Sequence, residues 1–250
     1  MKFDYPAGKN TFIMTADGML DEDLCAKVIS KAYYYYSNLF EDGPTWAGVR
    51  TYVKNSRDWT IESSNLKHAG VDEPIFDTLR IEAQRALHLA ISQYIEEEEA
   101  LWWWPGRGDT GFRMQHYYQG AGFYRTHVDG TPWERTATGG DNQRVLGAIM
   151  YLNTVEEGGG TKFPQHDLIV PAKVGRISLF PANWTHQHAG MTPLSSDKWI
   201  LSSFITATVQ YDDNPVQSEL TPVKDVVEIK GEEPKEEPKE EPKEEPKNDE

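Results

Sequence analysis

The chain has 250 residues, 38% hydrophobic and 12% aromatic, enough to bury a core for one domain, and 25 basic against 40 acidic residues leave it at −15. That acidity argues against a nucleic acid or an anionic membrane as partner, because phosphate contacts need clustered Lys and Arg. The single cysteine, Cys25, excludes an internal disulfide framework and a Cys-rich zinc site, so any metal falls to His and carboxylates.

Residues 1–10 hold no basic segment followed by an apolar one, and no run nears the ~18 apolar residues that span a bilayer; the expectation is a soluble, cytoplasmic protein. Asp21 stands where it can cap a helix whose Leu24, Val28, Ala32 and Tyr36 fall four apart. Residues 45–61 (TWAGVRTYVKNSRDWTI) mix strand formers with charges and read as an exposed ribbon or flexible loop. Pro74 occupies a first helical turn, and Ile75, Leu79, Ala83, Leu87, Ala90 and Tyr94 follow as one apolar stripe. Trp102, Trp103 and Trp104 are predicted to pack helices against a sheet.

From Phe112 the texture changes to eight short β-rich runs broken by Gly, Pro and Asn: 112–118, 122–128, 144–152, 160–164, 168–171, 176–181, 185–188 and 198–209. Helices first and strands afterward predict an α+β fold, a double-sheet jelly roll of about eight strands buttressed by N-terminal helices. Residues 212–230 read as a linker. Residues 232–247 repeat EEPK four times without an apolar residue, so the tail is predicted to be disordered with polyproline-like stretches. Residues 231–250 carry a net −6, which leaves −9 for the other 230.

His127 and Asp129, two apart on a predicted strand, leave the same face of the pleat, and His188 ends another short strand. Two imidazoles and one carboxylate make a facial triad with open positions, the arrangement of non-haem Fe(II) oxygenases. His186 competes with His188 for the same face, while His68, His88, His116 and His166 read as surface or packing residues. Lys198 opens the run KWILSSFITATV, in which Lys198, Ile200, Ser202 and Phe204 share a face; a lysine buried there needs an anion, such as a dicarboxylate. Gly158, Gly159 and Gly160 make a tight turn that delivers the Thr161 hydroxyl into a strand start, as a donor to the same carboxylate.

With these residues in place, YYQGAGFYRTHVDG (117–130), RVLGAIMYLNTVEEGGGTKFP (144–164) and GRISLFPANWTHQHAGMTPLSSDKW (175–199) resemble the Fe(II) and 2-oxoglutarate dependent dioxygenases, and within them the prolyl 4-hydroxylase branch. The resemblance implies a double-stranded β-helix core over 112–211, a helical support region over 1–111 and a linker with an acidic tail over 212–250. It implies His127, Asp129 and His188 as iron ligands, His188 being preferred to His186 by its spacing to Lys198. It makes Lys198, Thr161 and Tyr118 contacts of 2-oxoglutarate, with Tyr118 set ahead of its neighbour Tyr117. Phe204 departs from the tryptophan frequent at that position in the branch. O2 is the second cosubstrate and L-ascorbate the reductant, the products are succinate and CO2, and retention of Asp129 speaks against halogenation. Trp133 and Arg135, in the polar loop 130–143, and Arg50, in a segment placed like a substrate cover, are candidate substrate contacts. The implied substrate is a proline-containing peptide or protein, and the chain's own EEPK prolines (Pro234, Pro238, Pro242, Pro246) are candidates too. Competing readings are an oxygenase for another side chain or a small molecule, and a non-catalytic β-barrel binding module; a nucleic-acid demethylase fits the acidic charge poorly.

Overall fold

A computed structural model describes residues 2–45, 47–61, 74–98, 108–130 and 142–208. Trp102 to Trp104, the loop carrying Trp133 and Arg135, and the linker and tail from 209 onward lie outside the described residues.

Helix α1 (Glu22–Tyr35) begins where Asp21 accepts the Leu24 amide at 2.8 Å, satisfying one orphan donor of the first turn. It buries Cys25, Val28 and Ala32, and Leu24 and Tyr36 pack beside them. Helix α2 (Pro74–Glu97) starts on its proline and buries Phe76, Leu79, Ala83, Leu87, Ala90 and Tyr94 along one stripe, with Ala86 and Ile91 at its edges.

The strands in chain order are β1 (Phe3–Asp4), β2 (Met14–Ala16), β3 (Glu41–Asp42), β4 (Pro44–Thr45), β5 (Gly48–Val49), β6 (Lys54–Asn55), β7 (Arg57–Ile61) and β8 (Gly108–Asp109). They continue with β9 (Phe112–Tyr117), β10 (Phe123–His127), β11 (Asn142–Tyr151), β12 (Thr161–Phe163), β13 (Leu168–Val170), β14 (Ile177–Pro181), β15 (His188–Gly190) and β16 (Lys198–Thr208). The larger sheet runs β1-β2-β14-β11-β16-β9-β7-β3, with β8 also on β16, and the smaller β13-β12-β15-β10-β6; β4 and β5 form a separate pair. Every pairing is antiparallel.

Alternation along the strands of the larger sheet builds two cores. On β16 and β11, Trp199, Leu201, Ile205, Ala148 and Met150 join the helices in one cluster. Ile200, Ile149 and Tyr151, on the other face, join Tyr117, Phe163, Val170 and Phe180 between the two sheets. The helices therefore buttress one face of the larger sheet, and the smaller sheet covers the other.

Three expectations need correction. The N-terminal half is not mainly helical, since β1 and β2 extend the larger sheet past β14. Residues 45–61 divide: β4 and β5 form an exposed pair apart from both sheets, as expected, but β6 joins the smaller sheet, β7 joins the larger one, and Lys54, Ser56, Asp58, Trp59 and Ile61 are buried. Of the charges, Lys54 and Asp58 pair with each other inside, while Arg50 is exposed and Arg57 pairs with Asp42. Residues 185–188 are not one strand, because Asn183 caps a 3-10 turn over Trp184–His186 and β15 starts at His188.

Phe76 packs edge-on to Trp59 and Tyr36 where α2 meets the sheet. Phe76→Ala is expected to lower stability by about 3–5 kcal/mol through a buried cavity, with the far face of the sheet unchanged; chemical denaturation measures the first, and Mn(II) titration of the folded variant the second.

Candidate metal centre

Strands β10 and β15 pair so that His127 lies directly opposite His188. The register shifts between Tyr124 and His127, and this irregularity lets the two rings stack at 3.5 Å although they are three residues apart. Asp129 was expected on the strand with His127, but β10 ends at His127 and Asp129 sits in the following bend, its carbonyl accepting from Arg144 Nη1 at 2.9 Å.

Each histidine is oriented through Nδ1: His127 donates to the Arg125 carbonyl at 2.9 Å and His188 to the His186 carbonyl at 3.0 Å. The two Nε2 atoms then face Asp129, 3.3 Å from Oδ1 and 3.4 Å from Oδ2. The three donor groups lie within 4.8 Å of one another. Phe163 and Phe180 wall the ring of His188. Gly147 on β11 completes the enclosure: a Cβ there would meet Asp129 Oδ2 at 2.6 Å and Phe180 Cε2 at 2.8 Å.

Beside this group Lys198 opens β16, with 1% of its surface exposed. Among the described residues no hydrogen bond or ion pair reaches its ammonium, which stands 4.8 Å from the centre of the Tyr117 ring. Gly190 lies alongside: a Cβ there would sit in ordinary contact, 3.7 Å from Nζ. Gly190 is also the cross-strand partner of Thr161 on one side and of Tyr124 on the other. Thr161 is buried, and its hydroxyl shares a 2.7 Å hydrogen bond with Tyr151.

The larger part of β16 and its neighbours matches a family model. Residues 112–206 match the 2OG-Fe(II) oxygenase superfamily. No curated protein sequence matches the chain. Solved structures share its fold: a viral collagen prolyl hydroxylase from Paramecium Bursaria Chlorella virus-1 in complex with 2OG (TM-score 0.57, 18% identity, covering 80% of this chain and 98% of that one). A prolyl hydroxylase from Trichoplax adhaerens, complexed with a hypoxia inducible factor peptide fragment, aligns at TM-score 0.57 and 17% identity over 80% of this chain and 85% of that one. A Pseudomonas putida prolyl-4-hydroxylase does so at 0.57 and 16%, over 79% and 94%. The two-sheet core is thus the jelly roll of the 2OG oxygenases.

The superfamily implies Fe(II) and 2-oxoglutarate, and the residues present fit both. Two imidazole nitrogens and a carboxylate converge as a facial set, and a buried cation stands ready for an anion. Burial is the largest influence on His188 and holds it below the ordinary histidine range, so the ring is a neutral donor. Burial also opposes ionisation of Asp129, but His188 and His127 outweigh it and keep the carboxyl below its usual value. Burial alone pulls the Lys198 ammonium down from 10.5 to about 7.

The two candidate tyrosines face opposite sides of their strand. Tyr117 pairs across the strands with Lys198 and is buried, whereas Tyr118 points to the opposite side, 47% exposed, against His116. His186 turns away from the centre, with Nε2 on the Thr11 carbonyl at 2.7 Å. Arg50 is exposed and donates to the Tyr52 hydroxyl, without contact to the triad or Lys198. Phe204 carries the Arg144 guanidinium 3.9 Å above its ring. Tyr151, Gly147 and Tyr124 were not singled out from the sequence. Tyr151 was the accessible one, because the same alternation that faces Lys198 inward on β16 faces Tyr151 inward on its partner strand.

Three outcomes follow from this geometry. Between pH 7 and 10.5 the folded protein holds fewer protons at Lys198 than the unfolded chain, so this residue makes stability rise with pH in that window. An anion at Lys198 restores the ammonium, so 2-oxoglutarate binding above pH 7 is expected to take up a proton and weaken as pH rises, read by calorimetry in buffers of different ionisation enthalpy. Gly147→Ala, which drives a methyl into Asp129, is expected to weaken Mn(II) binding about 10-fold, read by titration of the metal-free protein.

Proposed function

We propose that the chain is a prolyl hydroxylase, an Fe(II)- and 2-oxoglutarate-dependent dioxygenase that hydroxylates peptidyl proline. The observation that carries the reading is the His-Asp-His triad beside a buried ammonium with no acidic partner among the described residues, enclosed by one jelly roll. The overall reaction takes substrate, O2 and 2-oxoglutarate to hydroxylated substrate, succinate and CO2, with L-ascorbate as the reductant that rescues uncoupled turnovers. The bound iron and keto acid supply the oxidative chemistry.

The residues of this chain hold and shield. His127 and His188 offer Nε2 to the metal because their Nδ1 atoms are spent on backbone carbonyls, which fixes tautomer and ring angle. Asp129 supplies the anionic donor. Lys198 takes the distal carboxylate of 2-oxoglutarate, and Thr161, aligned by Tyr151, donates a hydroxyl beside it. Tyr117 replaces Tyr118 as the tyrosine at this carboxylate. Phe163 and Phe180 exclude water from the His188 side.

Proline as substrate is supported by the likeness of the fold to prolyl hydroxylases, one of which was solved with a peptide fragment. Within this reading Trp133, Arg135 and Arg50 are the proposed substrate contacts, and the four EEPK prolines are candidate substrates, beside the plainer role of the tail as an acidic solubilising or partner-binding arm. Tethering keeps such prolines at high effective concentration.

The test is succinate formation from 2-oxoglutarate with Fe(II), O2 and ascorbate, with and without a proline-containing peptide, in wild type and His188→Ala. Turnover is expected to rise with the peptide and to fall about 100-fold or more in the variant. Lys198→Ala is expected to raise the 2-oxoglutarate KM far more than it lowers kcat, since it removes binding common to ground and transition states. Intact-mass analysis after turnover is expected to show added oxygen on the tail peptide. Succinate formation indifferent to proline would transfer the enzyme to another side chain or a small molecule, and absence of both turnover and metal binding would favour a binding module.

A further inference from the structure

Behind the metal centre lies a second buried polar group that the reading above does not use. Lys54 Nζ meets Asp58 Oδ2 at 2.6 Å, with 3% and 4% of the two side chains exposed. The other oxygen of Asp58 accepts the Ser56 hydroxyl at 2.7 Å. Gly43 closes over the cluster: a Cβ there would meet Ser56 Oγ at 2.3 Å and Asp58 Oδ1 at 2.9 Å. Arg113 is the further cation in range, 4.0 Å from Asp58 and partly exposed.

The place of this pair in the fold is specific. Lys54 belongs to β6 in the smaller sheet and Asp58 to β7 in the larger one, and the chain crosses between the sheets at Ser56. Lys54 is the cross-strand partner of Tyr124, and its ammonium stands 5.2 Å over the Tyr124 ring. That same ring stacks on His127. Asp58 is the cross-strand partner of Gln115, which accepts the Tyr117 hydroxyl at 2.7 Å.

A buried ion pair is a poor stabiliser, because desolvation offsets most of its attraction and apolar residues of like volume pack as well. What apolar residues do not supply is direction: an ammonium held over one ring and a carboxylate side anchoring the next. We infer that Lys54 and Asp58 are positioning residues, fixing Tyr124 against the metal-ligand ring of His127 and Tyr117 against Lys198, so that the corner between the sheets sets the geometry of both metal and anion pockets. The inference rests on the metal-centre reading above.

The test uses the full chain and Mn(II), with binding read by electron paramagnetic resonance and the fold by thermal unfolding. The double variant Lys54→Met/Asp58→Leu removes both charges without stranding one. It is expected to unfold within a few degrees of wild type yet bind Mn(II) about 10-fold more weakly, and to raise the 2-oxoglutarate KM; Lys54→Arg, which keeps the cation, is expected to recover most of the affinity. A folded double variant that binds Mn(II) and 2-oxoglutarate as wild type does would overturn the inference. If the double variant does not fold, Tyr124→Leu carries the test, since it leaves the ion pair intact: weakened Mn(II) binding supports the relay through the ring, and unchanged binding sinks it. A wild type that binds Mn(II) but never turns over would remove the hydroxylase reading while the positioning result stood on its own; one that binds no metal would remove both.

Discussion

Two histidines far apart in the chain face each other because β10 and β15 run antiparallel in a fixed register, and the geometry of the pocket depends on that register. A slip of one residue would turn both rings to the opposite face of the smaller sheet. The pairing also explains why the third donor comes from a bend and not from the strand. An antiparallel pair offers two residues at one level, so a carboxylate on the same side must approach from beyond the strand end, where Asp129 lies. Gly147 leaves the room for it, and β11 of the larger sheet passes close behind.

The larger sheet contributes the opposite kind of group. Its face toward the smaller sheet is mainly apolar, with Ile149, Ile200 and Phe180, and Lys198 is the cation set among them. Taking an ammonium out of water costs several kcal/mol, and no carboxylate among the described residues offsets it. The helices on the other face bear that cost indirectly: Phe76, Leu79, Leu87 and Tyr94 pack where Trp199 and Leu201 emerge, so the strand is held from behind while its first residue stays unpaired. An anion bound at that point would replace lost hydration with a charge partner, so a destabilising residue is suited to a binding site.

Where period and spacing carry the information, the sequence is readable. The α2 stripe and the inward face of β16 follow from periods of 3.6 and 2, whereas Asp129 was placed on a strand by that period and lies in the bend beyond it. The choice between Tyr117 and Tyr118 does not, because it turns on which residue of β9 stands opposite Lys198, and cross-strand register is not a local property. Residues 54–61 misled for a related reason. A charged side chain reads as exposed unless its partner is known, and Lys54 and Asp58 are each other's partner only because the chain changes sheets between them.

That change of sheets bears on where the fold begins. The matched segment, 112–206, holds the triad and Lys198, yet both sheets reach outside it. Strand β7 covers the edge of β9, β6 covers the edge of β10, and β2 covers the edge of β14. Without them three strands would present unpaired amides and carbonyls to solvent, a template for wrong pairing. The inner face would lose Lys54 and Asp58, leaving Tyr124 and Tyr117 with room to move. The N-terminal residues are therefore wall as well as buttress, and the chemistry-bearing segment depends on them for the shape of its pocket.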